Sequence, residues 1–239
     1  MTQPTPTPTL PECWQAVEDL TTAGVDRLLL YGPSGTGKTY YGLTSKPEHQ
    51  PAYRLICSEE MTTSQIEGAF YPSRVGFEWR EGVAVRAWRE GARLVIDEVA
   101  RANGDVMSLL LAFTDTTASS SWEHPETHEI VKPRAGFSVV LTMNGEPRDL
   151  DPALLDRFTA RVLINEPHPS ALEELPEYLR DIARTLGCDT DPETRASVRA
   201  FQTVAQVEKV HGLERALRIV LPEHAEAILD AATLAKASA

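Results

Sequence analysis

The chain is short of cysteine: Cys13, Cys57 and Cys188 stand far apart among 239 residues. No CxxC pair and no metal-ligand spacing can be drawn from them, which excludes a disulfide scaffold and a cysteine-ligated cluster. They read as reduced, incidental thiols, and the expected location is cytoplasmic. Basic charge is short as well. Lys and Arg number 23 against 35 Asp and Glu, a net charge of −12. Unspecific nucleic-acid binding needs clustered cations to displace counterions, so the composition disfavours a nucleic-acid partner. Solubility is the plain use of such a charge. No apolar run approaches the length of a membrane span and no signal peptide is visible, so no membrane association is expected.

What is present suits one α/β domain with a small appendage, because 42% of the residues are apolar and the chain can bury a full core. The opening nine residues, "MTQPTPTPT", cannot contribute to a core and are expected to be a disordered tail. Five short apolar runs follow: "RLLLY" (27–31), "AYRLICS" (52–58), "RLVIDEV" (93–99), "FSVVLTMN" (137–144) and "ARVLI" (160–164). Helical stretches such as 104–116 and 151–158 separate some of them. Alternating strands and helices imply a parallel sheet covered on both faces. After Glu166 the texture changes. Pro167, Pro169 and Pro176 punctuate the chain, and apolar spacings of three and four dominate in 170–187, 192–212, 213–220 and 222–237. The expected division is an α/β core over 10–166 and an all-helical lid over 167–239.

The stretch "GPSGTGKT" at 32–39 fits G-x-x-x-x-G-K-S/T directly after the first strand. Glycines let the backbone curl so that its N–H groups face an anion, and the helix that follows adds its positive end. Lys38 can reach the outer phosphates of a nucleotide, and Thr39 can ligate Mg²⁺. The expected nucleotide-binding set is Gly32, Pro33, Ser34, Gly35, Thr36, Gly37, Lys38, Thr39 and Tyr40.

Asp97 and Glu98 end the third apolar run. Asp97 at a strand's carboxyl end can hold Mg²⁺, and Glu98 can orient or deprotonate an attacking water, as phosphoryl transfer to water requires. The plain alternative is a strand end entering a solvated loop. The expected metal set is Thr39 and Asp97.

"GPSGTGKT", "LVIDEVARA", "VVLTMN" and "PALLDRF", in this order, resemble an AAA+ ATPase, and within that group the MoxR branch. The resemblance covers residues from about 10 to 220. It implies a P-loop NTPase fold with a three-layer α/β/α core, a five-stranded parallel sheet and a helical lid. It implies ATP and Mg²⁺ as ligands. It also places Asn144 at the sensor 1 position and Arg157 at the arginine finger that serves a neighbouring subunit, with Arg161 as the alternative. A helix-end Arg paired with Asp156 or Asp151 is the structural competitor. Arg215 resembles the sensor 2 position, with Arg218 as the fallback. Relatives often carry Ser-Pro before this Arg, where this chain has Leu213 and Glu214.

Residues 70–82, "FYPSRVGFEWREG", read as a hairpin with aromatics flanking a turn, and MoxR-like proteins carry such an insertion facing a ring pore. Core packing by Phe70, Phe77 and Trp79 is the competing reading. Relatives place a second hairpin before the sensor 1 strand, in 119–136. His124, His128 and their glutamates suggest a metal site there, but Pro125 argues against both His sharing a helix face, and a solvated loop is favoured.

The resemblance therefore implies a Mg²⁺-dependent ATPase, with Glu98, Asn144, Arg157 and Arg215 as its catalytic set. It would assemble into a homo-oligomeric, hexameric ring and remodel a client or a partner bearing a von Willebrand factor A domain. The alternatives are a nucleotide-dependent assembly switch with slow hydrolysis, and a nucleic-acid-linked, restriction-type GTPase on the same core.

Overall fold

Residues 10–189, 191 and 194–238 are described by a computed structural model. The Thr/Pro tail expected at 1–9 lies outside them. In chain order the elements begin with α1 (Glu12–Thr22), β1 (Arg27–Tyr31), α2 (Lys38–Thr44) and β2 (Ala52–Ile56). Next come β3 (Gly68–Ser73), β4 (Gly76–Glu81), α3 (Val83–Glu90), β5 (Arg93–Asp97) and α4 (Gly104–Phe113). Two short strands, β6 (Trp122–Glu123) and β7 (Ile130–Val131), precede β8 (Ser138–Met143), α5 (Pro152–Arg157) and β9 (Ala160–Leu163). The remaining helices are α6 (Pro169–Glu173), α7 (Glu177–Gly187), α8 (Val198–His211), α9 (Leu213–Val220) and α10 (Ala225–Ser238). Contacts divide the chain into two units. One holds Glu18–Gly32 and Lys38–Leu163, and the other holds the chain up to Val17, Pro33–Gly37 and everything from Ile164.

The first unit is built on a five-stranded parallel sheet in the order β2-β5-β8-β1-β9. Its central strands are mostly apolar, with polar residues towards their ends, because both faces are covered. Period-two alternation assigns the faces. Leu29, Leu94, Ile96, Val139 and Leu141 join one core with Trp88 of α3 and with Leu110 and Phe113 of α4. Val95 and Val140 face α2, where a Cβ on Gly42 would stand 3.2 Å from both methyls of Val95 and 3.4 Å from Val140. The three-layer arrangement follows. At β1 the buried Arg27 donates to the carbonyls of Thr114 (2.9 Å) and Asp115 (2.7 Å), and so satisfies acceptors just past the end of α4.

Two antiparallel hairpins interrupt this pattern. β3 pairs with β4, with Phe70 opposite Trp79, which confirms the hairpin expected at 70–82. Phe70 and Phe77 are exposed, so they do not serve the core. β6 pairs with β7 where a solvated loop was favoured. His124 explains the difference. It is buried, its Nδ1 accepts from the backbone N–H groups of Glu126 and Thr127 (3.2 Å each), and its ring packs on Trp79 and Trp122. Arg89 bonds Glu81 (2.6 Å) at the end of β4 and Glu129 (2.8 Å) ahead of β7. His128 pairs only with Glu123, at 2.6 Å, and no cluster of three or more metal-ligating side chains occurs among the described residues.

The second unit has its own core, in which Leu172, Leu179, Phe201, Val204, Leu217 and Ile228 are buried together. The helical run expected over 170–187 is broken at Pro176, which stands as the N-cap of α7 because a proline ring clashes within a helix. Likewise α8 begins only at Val198, where the Ser197 hydroxyl accepts from the N–H of Ala200 at 3.3 Å. No helix among the described residues is long and apolar enough to cross a membrane. Cys57 is buried, and burial, reinforced by the charge of Asp97, pushes its thiol pKa up to about 12. That thiol is inert, as expected of an incidental cysteine.

Candidate active site

Parallel strands point their carboxyl ends to one edge, where α/β proteins collect ligands. Asp97 ends β5 at this edge and is 7% exposed. Its Oδ1 accepts from the hydroxyls of Thr39, at 3.0 Å, and Thr142, and its Oδ2 accepts from the Arg54 guanidinium. Burial pushes its pKa upward, but the bonds from Thr142, Arg54 and Thr39 outweigh it and hold the carboxyl below its ordinary range. The Thr39 hydroxyl and the Asp97 carboxylate converge, and such hard oxygen donors fit Mg²⁺ completed by phosphates and water.

Glu98 follows with φ +56°, a left-handed conformation unusual for a residue with a side chain. Holding it costs on the order of 1–2 kcal/mol, and such outliers gather at functional sites. The twist turns Glu98 out of the strand. There its Oε1 accepts from Asn144 Nδ2 at 2.8 Å. Asn144 follows β8, and its Oδ1 accepts from Lys38 Nζ at 3.3 Å. The Asn amide is thus oriented by its neighbours, oxygen toward the ammonium and nitrogen toward the carboxylate. Lys38, Asn144 and Glu98 form one chain beside the Thr39–Asp97 pair.

The loop ahead of Lys38 takes positive φ at Gly32 (+121°), Gly35 (+78°) and Gly37 (+103°). Three of its carbonyls accept from donors in the chain. Gly32 O accepts from Lys38 Nζ (2.9 Å), Pro33 O from the Thr36 hydroxyl (3.1 Å), and Thr36 O from the N–H of His168 (3.1 Å). Tyr40, expected with the binding set, is 58% exposed. No hydrogen bond joins its side chain to the Asp97 cluster among the described residues.

Arg157 and Arg161 lie outside this cluster. Arg157 donates to Leu111 O (3.1 Å) and Ala153 O (2.7 Å) and reaches Asp115 at 3.5 Å, rather than Asp151 or Asp156. Arg161 donates to Phe158 O and Leu155 O, each at 2.8 Å. In the second unit Arg215 is exposed with no partner among the described residues, whereas Arg218 pairs with Glu214 at 3.2 Å.

The sequence matches the family described as "AAA domain (dynein-related subfamily)" over residues 27–158, more than half of the chain. The chain belongs to this AAA family. The matched region runs from β1 to the residue after α5 and contains the phosphate loop, the acidic pair and Asn144. The MoxR-like AAA+ reading of the sequence holds. Similar proteins include Protein NorQ of Paracoccus denitrificans (strain Pd 1222), 28% identical over 192 residues, covering 78% of this chain and 65% of NorQ. The Denitrification regulatory protein NirQ of Stutzerimonas stutzeri is 29% identical over 140 residues, or 56% of this chain and 50% of NirQ. Protein CbbQ of Hydrogenophilus thermoluteolus is 27% identical over 138 residues, or 56% of this chain and 51% of CbbQ. The chain thus spans half to two thirds of these relatives. Among solved structures, a closed-state cryo-electron-microscopy reconstruction of Hsp104 with ATPγS and FITC-casein superposes with a TM-score of 0.53. It shares 17% identity and covers 87% of this chain and 44% of that one, a likeness of fold.

Three contributing residues were not foreseen. Thr142 carried a signal, a lone hydroxyl inside the apolar run "VVLTM", two positions before Asn144. Arg54 carried a weaker one, a single charge in "AYRLICS". His168 carried none, since its backbone N–H makes the contact and any residue but proline supplies one.

Proposed function

We propose that this protein is a Mg²⁺-dependent ATPase that works as a ring and drives the remodelling or activation of a partner protein. The observation that carries the reading is the Lys38–Asn144–Glu98 chain held beside the Thr39–Asp97 pair. The loop and Lys38 bind the phosphates, and Thr39 and Asp97 hold the metal, which when bound neutralises charge on the phosphate oxygens. Glu98 orients the attacking water and draws its proton. Asn144 keeps that carboxylate turned toward the phosphates. Arg157, or Arg161 beside it, supplies the guanidinium to a neighbouring copy's nucleotide, and Arg215 of the helical lid senses the outer phosphate in its own chain.

NirQ is named a denitrification regulatory protein; a partner protein as the object of the cycle, and a von Willebrand factor A domain in particular, is what the MoxR resemblance suggests. Glu98→Gln removes the base while keeping the bond to Asn144. Wild type should release phosphate from ATP in Mg²⁺ at least tenfold faster than the variant, with nucleotide affinity unchanged. Equal background release would leave only a nucleotide-dependent assembly switch. Stimulation by DNA or a preference for GTP would favour the restriction-type GTPase.

A further inference from the structure

A loop that binds phosphate through its N–H groups must turn its carbonyls away from the anion, and those carbonyls then take donors from the protein or from water; Ser34 is exposed, so its carbonyl has both available. Three of these carbonyls are met by Lys38, Thr36 and His168, as described above. Ser34 O is met differently. It accepts at 2.8 Å from Nη2 of Arg195, a side chain 161 positions away in the sequence. The Nε of the same guanidinium donates at 3.0 Å to Gly187 O, at the end of α7. One planar fork therefore ties the crown of the loop to a helix terminus with fixed spacing. The fit is close on the neighbouring residue too. A Cβ on Gly35 would stand 2.6 Å from the Cβ of Ser197, which caps α8, so the 195–197 segment is moulded against Ser34–Gly35.

We infer that Arg195 is a positioning residue for the phosphate-binding loop. It holds the Ser34 carbonyl outward and so keeps the loop's N–H groups aimed at the phosphates before the nucleotide arrives. The inference rests on the reading of 32–39 as that loop. Its energetic consequence falls on binding, because a loop released from Arg195 must be ordered by the nucleotide itself. The chemical step, which depends on Glu98, is untouched once the site is filled. Affinity for the phosphates, and not the maximal rate, is the quantity Arg195 sets.

The test compares Arg195→Ala, Arg195→Gln and Lys38→Ala in the full chain, using a fluorescent ATP analogue for binding and phosphate release for turnover. Gln is long enough to reach Gly187 O and too short to bridge to Ser34 O, so it retains the helix contact if Ala unfolds the protein. Both Arg195 variants should bind nucleotide about tenfold more weakly and raise KM in step, with kcat within about threefold of wild type and the nucleotide-free melting temperature preserved in the Gln variant. A wild-type Kd for Arg195→Gln, with Lys38→Ala unable to bind, overturns this inference alone. A fall in kcat at unchanged KM overturns it too. Wild-type binding by Lys38→Ala overturns the phosphate-loop reading and this inference with it.

Discussion

Asp97 gathers two hydroxyls and a guanidinium around one carboxylate. The hydroxyl of Thr39 is compatible with a bound cation, but Arg54 is itself a cation occupying Oδ2. Its side chain is 44% exposed, so the pair is screened and worth about 0.5–1 kcal/mol. That is enough to compete measurably with a divalent ion. Arg54→Ala should therefore lower the Mg²⁺ concentration for half-maximal turnover by about two- to fivefold, read from a Mg²⁺ titration of phosphate release. An unchanged titration would mean that Arg54 leaves Oδ2 free on its own. At this scale the sequence was legible where residues that are neighbours in the chain stay together in the fold, as in 32–39 and the pair Asp97–Glu98. It was illegible where a side chain acts across 43 or 161 positions, as Arg54 and Arg195 do. No local pattern encodes such a partner.

At the scale of elements, the five apolar runs became five strands; the three central ones are apolar because both their faces are covered, while β2 and β9 stand at the sheet edges and are only partly buried. Strand order is a different matter, since it depends on which β-edges find each other, and nothing in the runs ranks them. The helices α1 and α3 left little trace. Both are short, although their buried residues stand three and four apart (Trp14 and Val17; Ala84, Ala87 and Trp88), and α3 follows directly on a hairpin that reads as strand. The break at Pro176 was visible as a residue and yet 170–187 reads as one helix, because the spacing of apolar residues continues across it. Gly42 shows what close packing demands of one element. In an open helix, replacing glycine gains roughly 1 kcal/mol. Here even a Cβ meets Val95 at 3.2 Å, and overpacking costs typically 1–3 kcal/mol and more for a large side chain. Gly42→Leu should thus lose about 1–2 kcal/mol net, seen as a lower urea midpoint at an unchanged slope. A gain in stability would show that α2 can shift off the sheet without penalty.

For the whole molecule, Arg157 poses the sharpest question. Within one chain it serves α4 by bonding Leu111 O, and neither it nor Arg161 joins the Asp97 cluster. On the proposed reading, a single copy thus presents the phosphate loop, the metal pair and the base. The proposal therefore has the finger act on a neighbour. The experiment mixes two inactive proteins, each checked for folding. One is the double variant Arg157→Ala with Arg161→Ala, whose own nucleotide site is intact. The other is Lys38→Ala, which keeps both arginines but cannot hold a nucleotide. Phosphate release from ATP and Mg²⁺ is measured for each alone and for equal mixtures. A shared site predicts that each is silent alone and that the mixture recovers a substantial fraction of wild-type turnover, because interfaces between unlike copies are complete. Turnover in the mixture no greater than the sum of the two alone would contradict the account, and full turnover by the double variant alone would contradict it outright.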